Sequence, residues 1–298
     1  MNTETFIDLI TGFESYLKNE KNKASTTLRA YVSDVNEYAY FLSGRGKSAE
    51  LANNADVAAF LMDLKEKGKS ASTVNRKLAS VRCFYDFLQE KGLIDFDPTK
   101  NIKSPKIPRK ELEYLSVEEI NKLLEAPDDS ERGIRDRALL ELMYATGMRA
   151  GELASSKIYD LNLKIGFISC TQENGKTRII PIGRPARAAV EKYLQTARPV
   201  LIKDKETDAL FVNYNGEGLT RQGIWKLIKF YGEKTGLETE LSPQLIRNSF
   251  AAHMIQNGAD LKSLQDLLGH EDITATKLFL TVSKNRIMDV YDRTFPRA

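Results

Sequence analysis

The sequence predicts a mainly α-helical protein with a small β component. It is built as an N-terminal helical bundle followed by a C-terminal mixed α+β domain. Three observations lead there. Before residue 97, apolar residues recur at helical spacing in four successive stretches. Pro98, Pro105 and Pro108 then interrupt any regular element. Beyond them, helical stretches flank a pair of β-patterned runs between Ile165 and Ile182, separated by a polar turn. A chain of 298 residues suits two domains. We expect the bundle over residues 1–97, a basic linker over 98–110 and the second domain over 111–298.

The bundle's first helix carries Phe6, Leu9, Ile10, Phe13 and Leu17 on one side. The second begins at a cap formed by Ser25 or Thr26, shows Leu28, Tyr31, Val32, Val35, Tyr38 and Leu42, and stops at Gly44 to Gly46. The third runs from Asp56 to Lys67. The fourth starts near Ser70 or Ser72 and shows Val74, Leu78, Val81, Tyr85 and Leu88, with Arg76, Lys77 and Arg82 on its other side. That basic face fits a DNA backbone or plain solvent. In the second domain, Ser116 and Glu119 form a capping box before Ile120. An apolar helix over 133–146 ends at Gly147, and a turn carries Arg149 into another helix. Two strands follow, Ile165–Cys170 and Arg178–Ile182. Then come a helix over 187–194, a short strand over 209–212, a turn at Asn215-Gly216 and a helix over 220–231. On spacing alone Trp225, in that last helix, reads as a packing residue.

Composition excludes several classes. Formal charge is +3, so the overall charge does not demonstrate nucleic-acid binding. Its distribution says more: Lys100, Lys103, Lys106, Arg109 and Lys110 crowd the linker, which contains no acid between Pro98 and Lys110. Two cysteines and two histidines rule out a disulfide framework and a His-rich metal site, and no metal or cofactor is expected. No apolar run is long enough to span a membrane, and the N-terminus lacks a signal-peptide pattern, so the expected location is cytoplasmic.

Three stretches carry the chemistry in a fixed order: MYATGMRAGEL around Arg149, the hairpin ending KTRIIPIG, and SPQLIRNSFAAH followed by LLGH. Together with KASTTLRAYVSDVNEYAYFL and SASTVNRKLASVRCFYDFL in the bundle and the closing TFPRA, they resemble the tyrosine recombinase, or phage integrase, family in its Xer-like branch. The resemblance covers essentially the whole chain. It implies a SAM-like core-binding domain, a catalytic domain with a C-terminal docking helix, and site-specific DNA recombination of the kind used in DNA integration and chromosome segregation. In that scheme a tyrosine oxygen attacks a DNA phosphodiester, a 5′-hydroxyl reverses the step, and protomers assemble on double-stranded DNA without a required metal or cofactor. Arg149 and Arg247 match the family's two arginines, whose planar forks suit the non-bridging oxygens of a phosphate. His270 matches a further hydrogen-bond donor to the same group. Arg76, Lys77, Lys176, Arg178 and Arg221 are expected to contact DNA.

At three reacting positions the residue type departs from the family. Phe279 stands nine residues beyond His270, where the family carries its tyrosine, and has no oxygen with which to form an ester. Gln244 stands three before Arg247 in place of a histidine and cannot shuttle protons near neutral pH. Glu173 stands in the hairpin where the family has its general-acid lysine, and opposes a phosphate. Asn248 and Thr281 also replace common histidines. The expected protein binds DNA, alone or with Xer-like protomers through its C-terminal segment, and does not cleave by the usual tyrosine route. Two alternatives stay open. One is an active recombinase, whether an engineered Tyr-to-Phe variant or one using Lys176 and an unaligned nucleophile such as Tyr291. The other is an interaction module that has left DNA.

Overall fold

The computed structural model describes residues 3–21, 25–106, 112–172, 175–237 and 239–269. The chain divides into two compact units, Met1–Lys110 and Glu111–Ala298. Among the described residues the secondary structure is helical apart from one small sheet, as the sequence predicts. His270, Phe279, Thr281, Ser283, Tyr291, Glu173, Arg109 and Lys110 lie outside the described residues.

The first unit is built from α1 (Thr3–Asn19), α2 (Ser25–Ser43), α3 (Asn54–Glu66) and α4 (Ala71–Glu90). α2 already includes Ser25 and Thr26, so neither is the residue that caps it from outside. Local chemistry sets the later starts. Asn53 accepts from the backbone N–H groups of Ala55 and Asp56, and Ser70 accepts from Thr73 at 3.2 Å. The core is aromatic. Phe13, Tyr16, Phe84 and Phe87 pack together, and the Tyr38 and Tyr85 hydroxyls meet at 2.9 Å, with Tyr85 donating to Ala49 O at 3.1 Å.

The basic face expected on α4, open to DNA or solvent, forms only in part: Arg76 stays exposed and Lys77 does not. The Lys77 side chain is only 7% exposed, and its ammonium donates to Asp34 at 2.8 Å and Glu37 at 2.7 Å. Arg76 pairs with Asp34, which also accepts from the Ser80 hydroxyl at 2.8 Å. Lys77 therefore neutralises a buried carboxylate of α2 and is not available to a DNA backbone. Arg82 donates to Ile102 O at 2.5 Å and to Ser104 at 3.3 Å. With Asn54 donating to Pro98 O (2.9 Å) and Asn75 to Pro105 O (2.8 Å), this ties the proline-containing stretch onto the bundle. Lys100, Lys103 and Lys106 of that stretch are exposed.

The second unit is centred on α6 (Glu131–Thr146), whose Ala138, Leu139, Leu142 and Met143 are fully buried. α5 (Val117–Glu125) precedes it, opened by the reciprocal Ser116–Glu119 bonds. α6 ends at Gly147, which takes a left-handed φ of +59°. A Cβ there would run into the Phe250 ring and stand 3.1 Å from Leu268, so glycine also lets the helix end close against its neighbours. α7 (Ala150–Ser155) follows at once.

Three antiparallel strands come next in the order β1 (Leu161–Asn162), β2 (Phe167–Thr171), β3 (Thr177–Pro181). Cys170 lies opposite Arg178 across β2 and β3. α8 (Arg184–Lys192) continues through one π turn, Tyr193–Ala197, into α9 (Arg198–Ile202). Pro199 has no N–H for the α ladder there.

The strand expected over 209–212 is instead two isolated bridges, Ala209 with Lys157 and Val212 with Gly218. Leu210 donates to Ser156 O while Phe211 O accepts from Leu219, so the segment changes partner midway and builds no ladder. α10 (Arg221–Thr235), α11 (Pro243–Gln256) and α12 (Leu261–Leu268) complete the described chain. Trp225 on α10 is 41% exposed, with the Lys229 ammonium 5.5 Å from its ring centre, so it is not the packing residue its spacing suggests.

Candidate active site

Arg149, Glu152, Arg178 and Arg247 converge from three elements. Arg149 is the N-cap of α7, and its backbone N–H donates to Glu152 Oε2 at 2.7 Å. Glu152, one turn on, is reached by the Arg149 guanidinium at 3.1 Å. Arg178 on β3 grips the same carboxylate with both terminal nitrogens, each at 2.9 Å. Arg247, in α11, is 3% exposed. Its Nη1 donates to Gly147 O and its Nη2 to Leu268 O at 2.7 Å, so it joins the C-terminal ends of α6 and α12.

The electrostatics follow from that packing. Burial raises the cost of ionising Glu152, but the Arg178 hydrogen bonds and the Arg149 N–H outweigh it and hold the carboxyl at about 2. Burial, reinforced by the neighbouring Arg149 and Arg178, pulls the Arg247 guanidinium down to about 9. Burial also pushes the Cys170 thiol up to about 12, so it stays protonated beneath the cluster. Three guanidiniums against one carboxylate leave a net charge of +2 where two helix C-termini, each partly negative, meet. That surplus suits an anion. The group nearest to solvent is Arg149, whose side chain is 45% exposed.

The remaining expected site residues divide clearly. Gln244 is exposed on α11 and donates to Asn248 at 2.8 Å, one turn along the same helix. Arg178 is expected on DNA, but its side chain is 10% exposed and each of its three nitrogens is engaged: Nη1 and Nη2 with Glu152, Nε with Leu267 O at 2.7 Å. It builds the site from behind. Lys176 and Arg221 are exposed, the first at the hairpin turn and the second opening α10 beyond the Thr220 cap. Two participants escape the sequence reading. Glu152 has a local signal, an acid three residues after Arg149 at a helix start. Gln172, whose Nε2 donates to Gly269 O at 3.1 Å, has none. Among the described residues no group of His, Cys, Asp and Glu is placed to hold a metal ion, and no helix is long and apolar enough to cross a membrane.

Known proteins are similar to this chain in sequence and in fold. The phage integrase family matches residues 113–286, and the phage integrase N-terminal SAM-like domain matches residues 10–92. The chain belongs to the phage integrase family, the tyrosine recombinases, and is of the Xer type. It is 40% identical over 298 residues to tyrosine recombinase XerD of Listeria monocytogenes serovar 1/2a, spanning 98% of this chain and 99% of the relative. It is 39% identical over 292 residues to tyrosine recombinase XerD of Oceanobacillus iheyensis, spanning 97% and 98%. Its fold matches XerH site-specific recombinase bound to palindromic difH substrate with a TM-score of 0.75 at 22% identity, covering 93% of this chain and 82% of that one. It also matches a lambda integrase dimer bound to a COC′ core site with a TM-score of 0.73 at 19% identity, covering 91% and 94%.

Proposed function

We propose that this protein binds DNA as a Xer-type recombinase homologue and does not cut it by the tyrosine route. One contrast carries the reading. The arginine cluster that would receive a phosphate is assembled and charged, while Phe279 stands at the position nine residues beyond His270. Phosphoryl transfer asks a protein chiefly for positioning and charge stabilisation, and then for a nucleophile. Arg149, Arg247 and His270 supply the first requirement. The phenyl ring of Phe279 cannot supply the second. Gln244 offers hydrogen bonds without proton transfer, and Glu173 adds an anion in place of a proton donor.

The exposed cations Lys176 and Arg221 of the second unit, and separately Arg76 of the first, are the side chains we assign to the DNA backbone. XerH bound to difH substrate and a lambda integrase dimer bound to a core site share this fold, which supports assembly of this chain on double-stranded DNA. The segment from Lys284 to Ala298 is our candidate for docking between protomers, with copies of this chain or with an active Xer-type protein.

The test is a nicked suicide substrate, which traps any covalent intermediate, together with duplex binding across a salt series. Binding with a steep salt dependence and no covalent adduct is the expected result. A protein–DNA adduct that survives denaturation would overturn the reading. Loss of that adduct in Tyr291→Phe would then identify the rerouted nucleophile. Absence of duplex binding at low salt would instead leave an interaction module.

A further inference from the structure

Beside Arg247, α11 carries a row of polar side chains at Gln244, Asn248, Ser249, His253 and Gln256, whose helical spacing puts them on one side. Four of them hold the chain where it enters the second unit. Asn248 Nδ2 donates to Glu113 O at 3.1 Å, and the Leu115 N–H donates to Ser249 Oγ at 2.8 Å. Gln256 Nε2 donates to the Tyr114 hydroxyl at 3.2 Å, and the Tyr114 ring meets His253 edge-on. Leu112 packs on the apolar cluster of Phe250, Leu264 and Leu268, and Leu115 is fully buried. Residues 112–115 have no regular secondary structure, yet each has its own partner. An irregular segment laid against a helix needs side chains to satisfy its backbone, and α11 supplies them. The Ser249 hydroxyl donates to Leu245 O at 2.8 Å, which leaves its oxygen free to accept from Leu115. Gln244 does not touch the segment. Its Nε2 donates to Asn248 Oδ1 at 2.8 Å, which occupies the Asn248 oxygen and turns the Asn248 amino group toward Glu113 O.

We infer that residues 112–115 are a strap that fastens the entering chain to α11 as one piece, with Asn248 as its positioning residue and Gln244 acting on the strap through Asn248. The Gln244 amide then has a use that involves no phosphate. The same helix carries Arg247, which holds the ends of α6 and α12, so the chain's entry and the arginine cluster share one support. The strap is independent of the proposed function; only the duplex arm of its test rests on that reading.

The test is amide hydrogen exchange on the full chain without DNA, read at Leu115. Asn248→Leu keeps the size, removes the bond to Glu113 and leaves the Leu115–Ser249 bond in place. Leu115 should nevertheless exchange about fivefold faster, the loss of about one net hydrogen bond from a segment that opens as a unit. Gln244→Leu should speed it about twofold, as for one pair on a helix surface. The double variant should be no faster than Asn248→Leu alone. Buried amides of α6 should keep their wild-type rates and certify the fold. Wild-type exchange at Leu115 in Asn248→Leu would overturn the inference, because the anchors would then act separately. Equal acceleration throughout α6 would overturn it too, because no strap would open by itself. With a duplex of generic sequence at fixed salt, Gln244→Leu should weaken binding in the wild-type background and have no effect in Asn248→Leu. A loss that persists in Asn248→Leu would put Gln244 on the DNA and overturn its role in the strap. If the wild-type protein failed to bind the duplex, the proposed function would fall, and the exchange experiment would still decide the strap.

Discussion

Glu152 is the keystone of the arginine cluster, and replacing it with Gln gives a measurable signature in pH. A carboxyl held at about 2 against an ordinary 4.5 contributes about 3 kcal/mol to folding at neutral pH, at about 1.4 kcal/mol per tenfold change in acidity. The folded carboxyl is the stronger acid, so this contribution is complete above pH 4.5 and is lost as pH falls toward 2. Between pH 7 and pH 3.5 the loss is about 1.4 kcal/mol on the same relation. Glu152→Gln has no such titration, and it leaves the Arg178 guanidinium buried without its counter-charge. Breaking a buried pair from one side costs about 3–5 kcal/mol. The expected result is a variant about 3–5 kcal/mol less stable at pH 7, with the gap narrowed by about 1.4 kcal/mol at pH 3.5. Urea unfolding followed through Trp225 reads this directly, because it is the single tryptophan and lies in the second unit. A gap of equal size at both pH values would refute the assignment of the carboxylate as the cluster's charge partner.

Other expectations follow from the same geometry. Gly147→Ala forces a Cβ against Phe250 at a left-handed position and should destabilise the second unit by about 2 kcal/mol or more, as a shift in the urea midpoint shows. His253 is buried, and its Nδ1 lies 2.9 Å from the Tyr144 hydroxyl. Burial lowers its affinity for a proton, so its contribution is whole above the ordinary value of 6.5 and is lost as pH falls below it. His253→Gln should therefore weaken the acid limb of the stability–pH profile. Phe279→Tyr alone should leave the suicide substrate uncut, whereas the combination with Gln244→His and Glu173→Lys restores each missing group and should produce a covalent adduct. An adduct from Phe279→Tyr alone would show that the other two departures are harmless.

The parts legible in the sequence are those governed by neighbours along the chain. The four helices of the first unit follow the 3.6-residue spacing of Val57, Phe60, Leu61 and Leu64 and of their counterparts. The Ser116–Glu119 box and the Gly147 stop are local hydrogen-bond chemistry. What escaped depends on partners distant in sequence. Lys77 looks like a surface cation until α2 brings Asp34 and Glu37 to it. Arg178 looks like a DNA contact until Glu152 and the end of α12 use its donors. Trp225 fails in the other direction: its helix buries Ile224 and Ile228 and leaves the indole outside. A one-dimensional pattern shows which face of a helix is apolar. It does not show which charges will be matched by another element.

That distinction also separates the two family-matched arginines. Arg247 is buried and satisfies the carbonyls that end α6 and α12, so Arg247→Ala leaves two buried acceptors unpaired, at about 1–3 kcal/mol each. A loss of DNA binding in that variant would not distinguish a broken phosphate grip from a broken scaffold. Arg149 is different. Its guanidinium is nearly half exposed, and its partner Glu152 is already held by both terminal nitrogens of Arg178. Its backbone bond to Glu152 survives side-chain truncation. Arg149→Ala should therefore cost less than about 1 kcal/mol in stability, the range of exposed ion pairs. If Arg149 grips a phosphate, the same change should lower the slope of log affinity against log salt by about 0.9. A variant that folds like the wild type and binds duplex with an unchanged salt slope would show that the assembled cluster is a structural relic with no phosphate in it.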